Sequence, residues 1–363
     1  MGHIRPFAED DIPQVAALHV AAFRRPGPLD LEGYRRYFTD TFVQHPFGSG
    51  ALPSLVYEEE GRILGFLGLV GRRVSLDGQR FDALVSSQFV VDPRCAAGLV
   101  ALRLAKAYLS GPQDLSIADE ANDVSRRIWE GLGGATALLL SMYWTRALRP
   151  AQLAVGHLRA RPRAAAIAAL ARPFAKVTDA LVGSGRARYF RPAVPAAPGE
   201  DLTGDTVVAH AAAVCGRGAV RVDYDARGVQ WLLQRAARGK AGRRLLKAVL
   251  RRGEKVLGWY IGRLGDDGVV ETLQLAATPA SVGDVLDQLF HRAWRHGAVA
   301  VTGRLEPRFL QALSDRYCVF HRRGPWVLFH STRPRLVEAF HAGEACLSRL
   351  DGEWSLRFLP SLN

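Results

Sequence analysis

Of the 363 residues only four are cysteine (Cys95, Cys215, Cys318, Cys346), and no two stand in C-x-x-C spacing. That excludes a disulfide framework and a paired-cysteine zinc site, and reads as free thiols in a reducing compartment. The histidines, including His291, His296, His321, His330 and His341, are not spaced as ligands either, so no metal is expected. No apolar run is long enough to span a bilayer. The opening MGHIRPFAEDD has no signal-peptide hydrophobic region, which makes the cytoplasm the expected location. Acids are outnumbered, 35 against 48 basic residues, for a formal net charge of +13. Such an excess can attract nucleic acid, anionic lipid, an acidic protein or a phosphorylated ligand, and by itself selects none of them. What is present, 48% hydrophobic and 23% charged residues, is the balance of a folded globular chain. The length suggests two domains.

The most informative stretch runs from Phe81 to Gly134. Ala83 to Val91 is an apolar, β-branched run ended by Asp92-Pro93, a strand stop because proline has no N–H for the ladder. A small-residue loop at Cys95, Ala96, Ala97 and Gly98 then opens a helix with Leu99, Leu102, Ala105 and Leu109 on one stripe. A strand over Asp114 to Ala118 follows. Asn122, a good N-cap residue, then starts a helix with Val124, Ile128 and Leu132 on its inner face, stopping at Gly133-Gly134. This order sets a helix N-terminus at a strand end, where free N–H groups and the helix dipole favour a phosphate. An ordinary βαβ crossover without a ligand gives the same pattern.

The run VDPRCAAG at 91–98 with its helix, and the later Asn122-x-x-Ser125-x-x-Ile128-Trp129-x-x-Leu132-Gly133, resemble the acyl-CoA signature of the GNAT N-acyltransferases. The resemblance implies an α/β fold with a mixed, mostly antiparallel twisted sheet flanked by helices. It also implies an acetyl-CoA or longer acyl-CoA donor, with pantetheine along the first strand at Phe89 and Val91. The CoA pyrophosphate would lie at Arg94, Ala96, Ala97, Gly98 and Leu99, beside the helix that Asn122 opens. The chain departs from the family pattern in three places. The loop is one residue short, Val100 replaces a small residue, and Trp129 stands where a tyrosine usually protonates the leaving thiolate. An indole N–H cannot act as that acid.

Earlier in the chain, Ile4 to Phe7 reads as a strand and residues 9–23 as a helix with acids in its first turn. His19, among apolar neighbours, reads as a packed histidine. Residues 24–50 are less regular, and in the family this region covers the acceptor side of the cleft. Turns at Glu58–Gly61 and Asp77-Gly78 continue an antiparallel meander, and Leu138 to Trp144 is expected to be the strand that completes the domain. Residues 146–204 form a basic, mostly helical connector interrupted at Pro162 and Pro173. Its three readings are a packing element, a membrane-surface helix, or the wall of a lipid-chain tunnel. The second half repeats the element order over residues 254–331: KVLGW at 255–259 echoes RILGF at 62–66, a strand again ends at proline, at Pro279, and Trp326 to His330 closes the copy. Tandem GNAT-like domains are therefore expected, at 1–145 and 206–363 with the connector at 146–205. The second loop, 278–283, keeps less of the pyrophosphate pattern, so this copy is expected to scaffold or to bind acceptor.

The chemistry the resemblance implies is direct attack of a primary amine on a thioester, which needs a proton acceptor and a site for the developing oxyanion. The first central strand offers Ser86 and Ser87 where an acid is common. Asp119 and Glu120, at the exit of the second strand, are the best-placed carboxylates, unless they cap the helix that follows; Glu271 is their counterpart in the second copy. The acceptor class is a small molecule, an amino sugar or a peptide. The basic segment Arg235 to Lys255 reads first as a solvated helix face, then as a dock for an acidic acyl-carrier protein. A nucleic-acid contact ranks last, since the segment has no interleaved aromatics for base stacking. The competing function is a non-catalytic GNAT-like protein that docks such a carrier or another acidic partner.

Overall fold

The computed structural model describes residues 2–23, 30–47, 52–95, 97–159, 163, 165–184, 189–216, 218–238 and 244–358. Strand β1 (His3–Pro6) leads into α1 (Ile12–Phe23), and α2 (Leu31–Phe38) is N-capped by Asp30, which accepts from the Gly33 amide. A meander follows: β2 (Leu55–Glu59), β3 (Arg62–Leu76) and β4 (Gln79–Val91). Its turns at Glu60-Gly61 and Asp77-Gly78 take positive φ at both positions, as two-residue hairpins require. Helix α3 (Ala97–Leu109) crosses to β5 (Leu115–Ala121), and α4 (Asp123–Gly131) returns to the short β6 (Ala135–Thr136).

Next come β7 (Tyr143–Ala147), α5 (Pro150–Arg159), α6 (Ala165–Ser184), α7 (Gly204–Cys215), β8 (Val220–Val222) and α8 (Ala226–Ala237). A second meander, β9 (Arg244–Arg252), β10 (Lys255–Leu264) and β11 (Val269–Ala277), leads through α9 (Val282–Arg295) to β12 (Ala300–Arg304). The chain ends with α10 (Leu310–Ser314), β13 (Val319–His321), β14 (Trp326–His330), α11 (Pro334–Ala342), β15 (Ala345–Cys346) and a 3-10 turn at Glu353–Leu356.

Two compact units result. The first comprises residues 1–141, 217–239 and 324–363, and the second 142–216 and 240–323. In the first, the strand order is β1-β2-β3-β4-β5-β14-β6, with β8 added to β3 and β15 to β8. Its sheet is buried on both faces. Val56, Phe66, Val85, Ile117 and Phe329 join one core with α1 and α2. Leu67, Leu84, Ala118 and Leu328 join another with Val100, Leu104 and Tyr108 of α3, following the period-2 alternation of strands. In the second unit the order is β13-β7-β12-β11-β10-β9, with Leu246, Tyr260 and Val301 packed on Val285, Leu289 and Phe290 of α9. Each sheet contains one parallel pair at its centre, β4 with β5 and β11 with β12. The architecture is thus an α/β pattern present twice.

Several expectations need correction. The closing strands are exchanged between the sheets. Residues 139–141 form a 3-10 turn, and β7 then pairs with β12 and β13 in the second sheet. Strand β14 pairs with β5 and β6 in the first. Hydrophobic pattern marks a strand but does not name its partner, so adjacency in sequence misassigns both. For the same reason the units do not follow the linear boundaries near 145 and 205. Ser141 fixes the turn, its hydroxyl donating to Ala137 O (2.8 Å) and accepting from Val327 N (3.0 Å).

Helix α6 runs through Pro173 instead of breaking there. Pro162 lies outside the described residues. The first amides of α5 are satisfied by Asp179 of α6, at 2.9 and 3.0 Å. Leu170, Phe174, Val177 and Leu181, one stripe of α6, are exposed. The basic segment after Arg235 is not a helix face. Its described part after Arg238 is β9, with Leu246, Ala248 and Leu250 buried. Lys247, Arg251 and Arg252 pair with Asp201, Glu200 and Asp284.

The exchanged strand is testable by crosslinking. Thr145 of β7 opposes Thr302 of β12, with their hydroxyls 3.2 Å apart. The double variant Thr145→Cys, Thr302→Cys is expected to form a 145–302 disulfide on mild oxidation, read by peptide mass spectrometry. Free thiols at both positions would contradict the register.

Candidate active site

The site is built where β4 and β5 part. They pair in parallel only at Ala83–Leu115, Leu84–Ser116 and Val85–Ile117. Beyond that rung β4 continues to Val91 with β3, and the two strands diverge. The Tyr108 side chain from α3 sits in the fork: its hydroxyl donates to Leu84 O (2.6 Å) and accepts from Ile117 N (3.0 Å). Burial pushes its pKa upward, so the phenol stays neutral and structural. Ser86 Oγ donates across the fork to Ile117 O (3.3 Å).

Directly above, β4 carries a bulge: Gly68 pairs with Ser87 and Phe66 with Val90, so Gln88 and Phe89 together oppose Leu67. Gln88 has φ of 52°, a left-handed conformation uncommon for a side-chain-bearing residue. Its Oε1 lies 2.6 Å from His19 Nε2, and His19 Nδ1 lies 2.9 Å from the Tyr34 hydroxyl. The buried histidine is a support for the bulge, consistent with its reading as a packed residue. Bulges take residues off the ladder and bend the strand locally, here at Gln88 and Phe89, just past the last β4–β5 rung.

At the end of β4 the loop turns on Asp92. Its carboxylate accepts from Arg94 N (2.9 Å) and from Arg94 Nε and Nη2 (3.0 and 2.9 Å). These contacts hold its pKa below the ordinary carboxylate range. Cys95 N donates to Asp92 O and Ala97 N to Cys95 O. Three loop amides are therefore used internally. The open part of the helix start is Gly98 and Leu99, both exposed, and a Cβ at Gly98 would meet nothing within 4 Å. Ala96 lies outside the described residues. Asn122 caps α4 by accepting from Ser125 N (2.9 Å), and Trp129 is buried edge-on to Tyr108 at 5.6 Å.

Neither Asp119 nor Glu120 caps α4. Both hold the C-terminal segment, whose 3-10 turn packs on β4 and β5. Glu120 is ion-paired with Arg349 (2.7 Å) and with Arg357. Asp119 Oδ1 accepts from Glu353 N (2.7 Å), and Glu120 N donates to Glu353 Oε1 (3.1 Å). Gly352 has to be glycine here, since a Cβ would collide with the Asp119 carboxylate. Asp351 accepts from Ser348 and from the Tyr224 hydroxyl, and Arg72 donates to its carbonyl. Burial lowers Arg72 to about 10.

The two glutamates diverge. Burial raises Glu120, but Arg349 and Arg357 outweigh it and leave the carboxyl below its ordinary range. Burial raises Glu353 as well, and there Asp119 and Glu120 push the same way, so its pKa stands well above the ordinary value. The residue as a whole is half-buried. No local pattern marks Glu353, Arg349 or Arg357, which act on a strand more than 200 residues earlier. Ser87 is buried in the bulge, and Phe89 and Val91 are half-buried on the same strand.

The second sheet repeats the fork in reduced form. The last parallel rung of β11 and β12 is Glu271–Thr302, with a bulge opposite Ile261/Gly262. In its loop, Ser281 Oγ donates to Leu257 O (2.6 Å) and lies 2.8 Å from Thr278 Oγ1. Among the described residues no cluster of His, Cys, Asp and Glu could hold a metal ion.

Two mixed sheets flanked by helices, each with a central parallel pair whose strands part, have the fold of solved GNAT structures over most of the chain. The chain is similar over 93% of its length, and 75% of the other's, to a GCN5-related N-acetyltransferase from Anabaena variabilis (TM-score 0.59, 12% identity). It is similar over 94%, and 74% of the other chain, to an Enterococcus faecalis protein described as a "Probable N-Acyltransferase" (TM-score 0.57, 11% identity). Eis1 from Mycobacterium abscessus is matched over 95% of this chain and 76% of its own (TM-score 0.50, 12% identity). No family model matches the sequence, and no curated protein does.

Opposite stability effects are expected from the two glutamates. A carboxyl with a lowered folded pKa stabilises above its unfolded pKa and loses that on acidification; one with a raised pKa destabilises increasingly as pH rises through it. Glu120→Gln is expected to lower stability at pH 7 by roughly 2–4 kcal/mol, with a smaller deficit below about pH 4. Glu353→Gln is expected to raise stability at pH 7–8, the gain shrinking toward about pH 4. Denaturant unfolding across pH measures both, and equal signs would contradict the assignment.

Proposed function

We propose that the first unit is an N-acyltransferase that moves an acyl group from an acyl-CoA thioester to a primary amine. Glu353 is its proton acceptor. The observation that carries this reading is a carboxyl of raised pKa, hydrogen-bonded to β5 where that strand parts from the bulged β4. A raised pKa brings a carboxylate nearer the working pH and makes it a better base. Glu120, paired with two arginines, serves this role poorly; it positions the segment that carries Glu353, as does Asp119. The amine's N–H proton passes to the Glu353 carboxylate as nitrogen bonds to the thioester carbon. The carbonyl then re-forms as the C–S bond breaks, and the CoA thiolate leaves and takes up a proton from the protonated Glu353 or from water. The amides of the Gln88–Phe89 bulge face the oxygen on which charge develops. Ser87 lies in that bulge and shapes it. The acidic surroundings also favour a cationic acceptor, such as a small amine, an amino sugar or a peptide amine.

The donor end fits in part. The α3 first turn at Ala97, Gly98 and Leu99, with exposed Arg94, suits a diphosphate, and Phe89 and Val91 line the strand beside it. Asp92 opposes that role by holding Arg94 and adding a like charge. This feature, together with the buried Trp129, favours a second reading, a GNAT-like binding protein without turnover. A carrier protein as donor draws less support, because Lys247, Arg251 and Arg252 of β9 are already paired with acids. Among the described residues no helix is long and apolar enough to cross a membrane. Peripheral contact would fall to the exposed α6 stripe.

Thermal shift with CoA and acetyl-CoA, followed by a thiol-release assay with amine acceptors, separates the readings. The transferase predicts both a shift and turnover, with Glu353→Gln at least about 100-fold slower. Asp92→Asn keeps the turn, frees Arg94, and is expected to tighten CoA roughly fivefold. A shift without turnover supports the binding protein, and no shift with any acyl-CoA overturns both.

A further inference from the structure

The second unit contains a cavity of about 530 Å³ whose lining includes Arg146, Arg191, Asp287, Phe290, Arg316 and Tyr317. Its size is that of a small-molecule site. Arg316 is neutralised in place by a two-pronged pair with Asp287, at 2.8 and 2.7 Å. Asp315 also faces the cavity, and its carboxylate accepts from Gln311 (2.7 Å).

Arg146 differs from its neighbours. It projects from β7, is 4% exposed, and its Nε is buried with no hydrogen-bond partner. Among the described residues no carboxylate or carbonyl pairs with its guanidinium; its one contact of note is the Tyr317 ring, 5.5 Å away. Neighbouring Cys318 supplies no counter-charge, since burial pushes its thiol up to about 12. Arginine does not escape burial by losing its proton. A buried guanidinium N–H without a partner is costly unless something completes it. On the rim, exposed Arg191 adds a second guanidinium, 5.9 Å from the Trp294 ring. Three guanidinium groups therefore face two carboxylates, and the unpaired one is the most deeply buried.

We propose that this cavity is an oxyanion-binding site, centred on Arg146 and closed at its rim by Arg191, for a small molecule bearing a carboxylate or a phosphate. The guanidinium fork matches either group in two-pronged fashion, while Phe290 and Tyr317 offer apolar surface to the body of the ligand. The site is independent of the acyl-transfer reading, because all its residues belong to the second unit.

The test uses the full-length protein with inorganic phosphate and with acetate as probes, against chloride at matched ionic strength. The expected result is a saturable rise in melting temperature with at least one probe. Arg146→Met is expected to melt at or above the wild type without probe, since it removes an unpaired buried charge, and to lose the probe-dependent rise. Arg295→Gln, an exposed arginine outside the cavity, is expected to keep it. If Arg146→Met does not fold, Arg191→Gln decides: calorimetric affinity for the probe should fall severalfold. No rise in the wild type, an equal rise in Arg146→Met, or unchanged affinity in Arg191→Gln would overturn the proposal.

Discussion

The clasp between the end of the chain and the exit of β5 governs the arrangement of the first unit. Arg349 and Arg357 bracket Glu120, Gly352 lets the backbone approach Asp119, and Glu353 exchanges main-chain and side-chain hydrogen bonds with both. Five charged side chains are confined to one small volume, with two cations against three carboxyls. The cations settle on Glu120, so the electrostatic strain of the cluster is concentrated in Glu353. A group in that state holds a proton at a pH where ordinary carboxyls have lost theirs. The raised pKa is a consequence of the clasp, and the proposed chemistry depends on it.

The same segment braces α2 and α8. Tyr37 donates to Leu356 O (2.6 Å), Tyr34 stacks on Phe358 at 4.4 Å, and Arg235 donates to Ser355 O (2.8 Å). Tyr34 in turn supports His19, and His19 supports the strained Gln88. A path of one ring stack, Phe358 on Tyr34, and two hydrogen bonds, Tyr34 to His19 and His19 to Gln88, thus links the C-terminal segment to the β4 bulge.

Most of the fold was legible in the sequence because its signals are local. The alternating run at Ala83–Val91, the stop at Asp92-Pro93, the Asn122 cap and the echo of RILGF in KVLGW each depend on a few consecutive residues. The partners of β7 and β14 were not, since a strand's neighbour is chosen by hydrogen-bonding edges far away in sequence. The site divides in the same way. The strand Ala83–Val91, the helix after it and the carboxylates at β5 could be placed from pattern. Glu353 could not, because the Asp351-Gly352-Glu353 run reads as an ordinary turn until the strand it meets is known. The small residues of the loop at Arg94 read in sequence as a phosphate cradle, whereas in the structure Asp92 engages the Arg94 amide and guanidinium and leaves only the Gly98–Leu99 part open.

The most direct check is a titration of the Glu353 carboxyl itself, by carbon-13 NMR on glutamate-labelled protein with Glu353→Gln to assign the signal. The account predicts a midpoint well above the ordinary carboxylate value, moving down when Glu120 is neutralised. A Glu353 that titrates at or below that ordinary value would contradict it, and with it the choice of proton acceptor.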